Sequence, residues 1–406
     1  MRPWRIATTL VAILVVPLCA DAQETRAEAI EKQRSEKATQ LKTYEPTRLE
    51  KTLLYVEESN PLTRLAPYNG FYIQYGYTGK PIGSGSGLGA GWRHNLFNRD
   101  ARIVFEAGQS MRSYQMVRAD FSLPRLLDEK LELGIEGRYD YQPQEDYFGP
   151  GLSSSVDDRS NFLYKAPGVQ GRAMFAPRRW INTGIRLGWL DVSIDRGKDK
   201  RFPSVHDLFA ETDAPGLLDQ PAFLYNDLFA TIDTRDQPGN ARAGGYYGVL
   251  WRHYNDSDSS RYTFASTEID LQQFLPIFDK KRVVALRVRL TATRADDGQE
   301  VPFYLQPTLG GSDSLRSTGD YRLRDRNVLS SNIEYRWEAF SGLDMALFSD
   351  FGTVASRFRD LELSNLRKAY GLGFRFNTYK AVFLRIDIAG GGSEGLHLFT
   401  RFSKVF

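Results

Sequence analysis

Residues 130–141 read KLELGIEGRYDY, and their alternation decides the fold. Leu131, Leu133, Ile135, Tyr139 and Tyr141 share one face of an extended chain, while Glu132, Glu136, Arg138 and Asp140 share the other. Successive side chains of a strand point to opposite faces, so a period of two marks a strand. The pattern recurs in INTGIRLGWL (181–190), RVVALRVRLTA (282–292), SNIEYRWEAF (331–340), AYGLGFRFNT (369–378) and AVFLRIDIAG (381–390).

Alternation also suits a soluble sheet with one wet face. Three features favour a membrane instead. The runs extend to about ten residues, the length a tilted strand needs to cross a bilayer. The polar face mixes both charge signs with glycine, which suits a crowded, watery lumen. The apolar face is aromatic near strand ends, as at headgroup girdles, and the chain holds 21 Tyr and 25 Phe. Sixteen such segments begin near residues 71, 87, 102, 112, 130, 162, 181, 223, 245, 261, 281, 329, 344, 368, 381 and 396. The expected fold is therefore all-β, a transmembrane antiparallel barrel of sixteen strands over residues 61–406. An even count leaves both termini on the periplasmic side, with the long connections facing outward.

The first residues set the route. Arg2 and Arg5 precede an apolar run, residues 6–18, and the small residues of ADA at 20–22. That order is a cleaved secretory signal over residues 1–22, and the run is too short for a membrane anchor. Leu18 is too bulky for lipid attachment at Cys19, and cleavage after Ala22 removes this only cysteine. No later stretch reaches the ~18 apolar residues of a spanning helix, which leaves a closed barrel as the membrane option. Residues 23–60 contain ETRAEAIEKQRSEKATQLK and read as a short periplasmic helix. It is either a solvated segment or a plug at the barrel mouth.

Enzyme chemistry finds little support. His94, His206, His253 and His397 show no triad or metal spacing, so no catalytic residue, cofactor or metal is expected. SVDDRS (155–160) and NDSDSS (255–260) are acidic turns, read as turn polarity rather than calcium loops. GSGSGLGAG (83–91) lacks the lysine and helix of a phosphate loop. A net charge of +3 gives no reason to expect nucleic acid.

The stretch TLGGSDSLRST, residues 308–318, carries Arg316 between small residues inside a long connection. In FSDFG (348–352), alternation turns Asp350 inward with Asp344 and sends Met345, Leu347 and Phe351 outward. A loop that folds into the lumen would bring Arg316 to Asp350, where a guanidinium fork can engage a carboxylate bidentately.

Residues 301–337, VPFYLQPTLGGSDSLRSTGDYRLRDRNVLSSNIEYRW, followed by FSDFG, resemble the C-terminal half of the bacterial surface antigen barrels, the BamA/TamA-like, D15-type outer-membrane family. DTRDQPGNARAGGYY (233–247), which turns through Pro238, Gly239 and Asn240, is similar to an earlier motif of that family. The resemblance implies a loop motif of Gly310, Gly311, Leu315 and Gly319 and a wall motif of Phe348 and Gly352. It also implies that Arg316 meets Asp350; Glu334 and Asp387 are inward-facing neighbours by alternation. Phe402 and Phe406 would form a C-terminal assembly signal, although Lys404 stands at an outward position there. Family barrels close by a weak seam between first and last strands, which glycines near the first strand would leave loosely packed. Two departures stand out. Arg316 is followed by Ser317, Thr318 and Gly319 rather than Gly-aromatic, with Tyr321 close by; and residues 23–60 are too short for a periplasmic POTRA domain.

The implied role is non-enzymatic: insertion or translocation of protein or lipid at the outer membrane of a Gram-negative bacterium. A passive porin-like channel on the same scaffold is the alternative. The implied partners are outer-membrane lipid including lipopolysaccharide, the barrel assembly machinery during biogenesis, and a client protein or lipid. A monomer is expected.

Overall fold

A computed structural model describes residues 68–75, 87–340, 342–377 and 382–401, together with Arg48. The expected signal segment, the rest of the 23–60 segment, and Phe402, Lys404 and Phe406 lie outside the described residues.

The strands are β1 (Gly70–Tyr75), β2 (Gly87–Leu96), β3 (Ala101–Ser110), β4 (Gln115–Leu126), β5 (Leu131–Tyr147), β6 (Ser160–Arg178), β7 (Ile181–Asp191) and β8 (Ser193–Arg196). They continue as β9 (Ala222–Asp233), β10 (Gly244–Asp256), β11 (Phe264–Ile277), β12 (Arg282–Ala295), β13 (Thr308–Leu309) and β14 (Leu323–Arg324). The last five are β15 (Asn327–Phe340), β16 (Leu343–Ala355), β17 (Arg367–Asn377), β18 (Val382–Gly392) and β19 (Gly395–Arg401). β8 carries the path of β7 past Val192 and stays paired with β6, Tyr164 opposite Ile194. β13 and β14 pair only with each other, inside the 296–326 connection. Among the described residues, that leaves sixteen strands in one antiparallel meander, each paired with the next from β1–β2 to β18–β19. Every observed start falls within three residues of its expected position; the largest offsets are at β4 and β11.

The sheet is inside-out by the standards of a soluble protein. Along β16, Asp344, Ala346, Phe348 and Asp350 are all buried, while Leu347 between them is 54% exposed. β15 repeats this, with Asn332, Glu334 and Arg336 buried and Ile333 exposed. Charged groups leave water only when paired, and a wide exposed apolar face needs a non-aqueous solvent. A barrel in lipid meets both demands, with a polar interior and an apolar exterior.

The two ends differ. At one end the connections are long, and residues 197–221 and 296–307 fold over the strand ends. There Tyr147, Phe162, Phe223, Tyr262 and Phe303 join Val205, Leu217 and Val301 in an apolar cluster. At the other end the turns are short. Three of them run through left-handed backbone without glycine: Phe97-Asn98-Arg99, Leu127-Asp128-Glu129 and Phe278-Asp279-Lys280. Each is closed by one bond, as where Asp100 N–H donates to Phe97 O at 3.1 Å. In an outer-membrane barrel the short turns face the periplasm.

Near the first strand, β1 and β2 pack closely at Gly91. The Tyr72 ring lies across it, where a Cβ would clash, and Tyr72 Oη donates to Glu106 Oε1 at 2.7 Å.

The exterior assignment is open to a direct check. Leu347→Arg, at an outward position midway along β16, should destabilise the bilayer-folded protein by about 2–4 kcal/mol, read from urea unfolding in vesicles. A loss under 0.5 kcal/mol would place that face in water.

Candidate functional site

The 296–326 connection enters the space enclosed by the wall. Thr308 and Leu309 pair with Arg324 and Leu323, closing a narrow excursion from Gly310 to Arg322. Gly310 and Gly311 start it with φ of +129° and +84°, and at both a Cβ would strike the returning chain, Gly319 O and the Asp320 carboxylate respectively. Only glycine tolerates that combination. Leu315 is fully buried at the tip, beside Leu309, Leu323 and Val328. The wall makes room: a Cβ on Gly352 would sit 2.8 Å from the Leu309 side chain, and one on Gly392 would sit 3.0 Å from Ser317 O.

Arg316 ends among buried charges on the inner wall. Its Nε donates to Asp350 Oδ2 at 2.8 Å and its Nη2 to Asp350 Oδ1 at 2.6 Å. Its backbone N–H reaches the same carboxylate at 3.2 Å, and Nη1 donates to Glu334 Oε1 at 2.7 Å. Asp387 Oδ2 lies 3.6 Å from Nη1, and the Phe348 ring centre lies 3.3 Å from Cζ. Burial works against the Arg316 charge, but the carboxylates of Asp350, Glu334 and Asp387 outweigh it and hold the proton more tightly than usual.

The structure therefore brings Arg316, Asp350, Glu334, Asp387 and Phe348 together, with Gly310, Gly311, Leu315 and Gly352 shaping the approach. Four members were missed in the sequence. Arg375 bridges Asp387 Oδ1 (2.6 Å) and Glu334 Oε1 (3.1 Å). Arg385 donates to Asp387 Oδ2 at 2.5 Å and also to Ser312 O. Arg336 donates to Glu334 Oε2 at 2.8 Å, and Asn332 Nδ2 donates to Asp350 Oδ1 at 2.8 Å and Ser314 O at 2.6 Å. Alternation carried their signal, because each stands two residues from an inward residue or directly opposite one across a strand pair. Four guanidiniums and three carboxylates thus share one pocket, all less than a tenth exposed.

The departures after Arg316 are anchors. Ser317 Oγ donates to Lys368 O at 2.8 Å, Thr318 Oγ1 to Leu315 O at 3.1 Å, and Gly319 N–H to Glu394 Oε2 at 3.2 Å. Arg322 Nε lies 2.8 Å from Glu394 Oε1, and its other nitrogens donate to Ser154. Tyr321 takes a left-handed φ of 56°. Asp320 faces Arg401 of β19 at 3.5 Å. Of the acidic turns, that at 255–260 is held by Asp256, whose carboxylate accepts from the N–H groups of Asp258, Ser259, Arg261 and Tyr262. Among the described residues, no group of three or more His, Cys, Asp or Glu side chains is arranged to hold a metal ion.

An inverted antiparallel sheet with a long loop clamped in its polar interior defines an outer-membrane β-barrel of the Gram-negative envelope. The chain belongs to the Omp85 superfamily, whose domain model matches residues 95–390. In fold it is similar to BamA from Haemophilus ducreyi lacking POTRA domains 1-3, with a TM-score of 0.61, 15% identity, and coverage of 82% of this chain and 70% of that one. CdiB from Escherichia coli gives a TM-score of 0.50 at 11% identity, covering 82% of this chain and 61% of that one. No curated protein sequence matches the chain.

Two outcomes follow from the site. Arg316→Ala and Asp350→Ala should each cost about 3–5 kcal/mol, because each strands a buried charge, and the double variant should lose no more than the worse single one. Fully additive losses in a denaturation cycle would show that the two act separately. Burial raises the Asp320 carboxyl to about 6, against the pull of Arg401 and with help from Asp313 and Asp146. The raised value means the docked loop prefers the protonated acid. That stabilisation is complete below the ordinary value of 3.8 and is lost as pH rises through about 6. Loop docking should therefore tighten between pH 7 and pH 5, measured by protease protection at Arg322, and Asp320→Asn should flatten the profile.

Proposed function

We propose that this barrel acts in the insertion or translocation of protein or lipid at the outer membrane, with the client admitted at a lateral seam between β1 and β19. The observation that carries the reading is the clamped loop. With Arg316 only 1% exposed and bonded to β15 and β16, an axial path for a chain-sized client is obstructed. Among the described residues, the loop borders a cavity of about 430 Å³ against β10–β12 and one of about 380 Å³ beside Glu145, Glu394 and His397.

The last strand pair supports a lateral route. The β18–β19 register shifts between Ala389 and Gly392, and a strand whose ladder is interrupted separates at lower cost than one paired without a break. The membership of the Omp85 superfamily and the likeness to BamA support work in outer-membrane assembly or secretion at the level of the family.

The test is a reversible lock. Cysteine pairs placed between residues 71–75 and 397–401, in a Cys19→Ser background, should crosslink on oxidation. Proteoliposomes of the unlocked protein should speed the folding of a urea-denatured eight-stranded barrel, the lock should abolish this, and reductant should restore it. Folding that proceeds equally fast through a locked seam would overturn the lateral route. Absence of any acceleration, with steady uptake of small sugars by locked and unlocked vesicles alike, would identify a passive pore.

A further inference from the structure

The connection between β9 and β10, residues 234–243, does not behave as a short periplasmic turn. The other short-end connections occupy two to four positions, whereas this one occupies ten. Its length is folded on itself. Asp236 Oδ1 accepts from the N–H groups of Gln237 (3.0 Å), Arg242 (3.0 Å) and Ala243 (3.1 Å), and Lys280 donates to Oδ2 at 2.9 Å. Gly244 closes the fold at φ +88°, where a Cβ would strike Thr234 O.

This folded segment reaches across the mouth. Arg242 Nη2 donates to both oxygens of Asp344 in β16, at 2.9 and 2.7 Å, and its Nη1 donates to Lys280 O at 2.9 Å. Gly239 O accepts from Val382 N–H, at the start of β18, at 3.1 Å. Along the wall, β11, β12 and β15 lie between β10 and β16, and β17 lies before β18. Six strand spacings amount to roughly 29 Å of wall, so the segment reaches Val382 by a chord through the opening.

The chord is also seated. Ala241 is 6% exposed in a cluster with Phe274, Val283 and Ala285. The Arg336 guanidinium of the buried charge cluster lies 5.5 Å from the Phe274 ring. Between Pro238, Ala241, Phe274, Arg336 and Val382 only a void of about 10 Å³ remains, at the lower limit for a single water. The underside of the charge cluster is thus covered by the turn, as its upper side is covered by the loop bearing Arg316.

We propose that residues 234–243 form an inner latch, which shuts the periplasmic mouth beneath the Arg316 cluster and ties β9–β10 to β16 and β18. Arg242 is its positioning residue. The latch goes beyond the seam reading and holds whether the barrel inserts clients or conducts solutes. Opening the cluster to periplasmic water requires Arg242 to leave Asp344 and Gly239 to leave Val382.

The test reads water access directly. Ala346 is fully buried and faces inward between Asp344 and Phe348. In the full chain with Cys19→Ser, Ala346→Cys should react slowly with a cationic methanethiosulfonate reagent in proteoliposomes. Adding Arg242→Ala should raise the rate on the order of tenfold, since one partly shielded ion pair and its closure are removed. Arg242→Lys should keep most of the protection, and Arg242→Glu combined with Asp344→Arg should restore it. Heat-modifiable migration on gels confirms that each variant is folded. Equal labelling rates with and without Arg242 would overturn the latch. A second arm needs no loss of charge: Gly239→Cys with Val382→Cys should form a disulfide under mild oxidation in the folded barrel. Failure to crosslink in folded protein would equally overturn it.

Discussion

A guanidinium withdrawn from water must be met by carboxylates within hydrogen-bonding reach, and the placement of Arg316 imposes that demand on four strands at once. Asp350 supplies a bidentate partner, Glu334 takes the remaining edge, and Arg375 and Arg385 then need Asp387 to balance them. A buried ion pair is weak evidence for net stability, because desolvation offsets much of the attraction. Its strength is in specificity. Any register slip in β15, β16, β17 or β18 would turn one of these residues to lipid and leave its partners uncompensated. The cluster therefore fixes both the loop and the strand register of the C-terminal half.

The same demand explains several small residues. Gly352 and Gly392 stand where the loop touches the wall, and Gly371 lies under the Phe348 ring that stacks on Arg316. Elsewhere the inward charges satisfy one another. Arg118 bridges Glu106 and Glu136, Arg172 bridges Asp120 and Glu132, and Arg186 pairs with Asp227. The wall thus offers a polar interior with little unbalanced charge.

Much of this was legible in the sequence, because a strand's two faces are a local property. Alternation alone turned Glu334, Asp350 and Asp387 inward, and the strand starts followed from it. The contact between Arg316 and Asp350 was expected from a resemblance as well as from alternation. Contacts that cross the interior left no local trace. Nothing around Arg322 announces Glu394, 72 positions on, or Ser154 on another loop. The Pro238-Gly239-Asn240 turn was visible, but its reach to Val382 depends on where the wall curves, which no short window records. Nothing beside Gly91 in the sequence announces the Tyr72 ring that covers it. The N-terminal and C-terminal expectations, residues 1–22, 23–60 apart from Arg48, and the final phenylalanines, fall outside the described residues and so inform none of these arguments.

The glycine-free turns at the short end bear on the order of folding. Phe97-Asn98-Arg99, Leu127-Asp128-Glu129 and Phe278-Asp279-Lys280 hold left-handed backbone that side chains other than glycine adopt at a cost of roughly 1–2 kcal/mol per residue. Asparagine and aspartate at the central position lessen that cost, but Phe97, Leu127 and Phe278 do not. A two-stranded hairpin is marginal in water even with a favourable turn. These hairpins consequently lack the means to persist alone, and each is held shut only once its flanking strands have found their neighbours. Closure of the short-end turns therefore comes from the sheet as a whole rather than from the turn residues themselves.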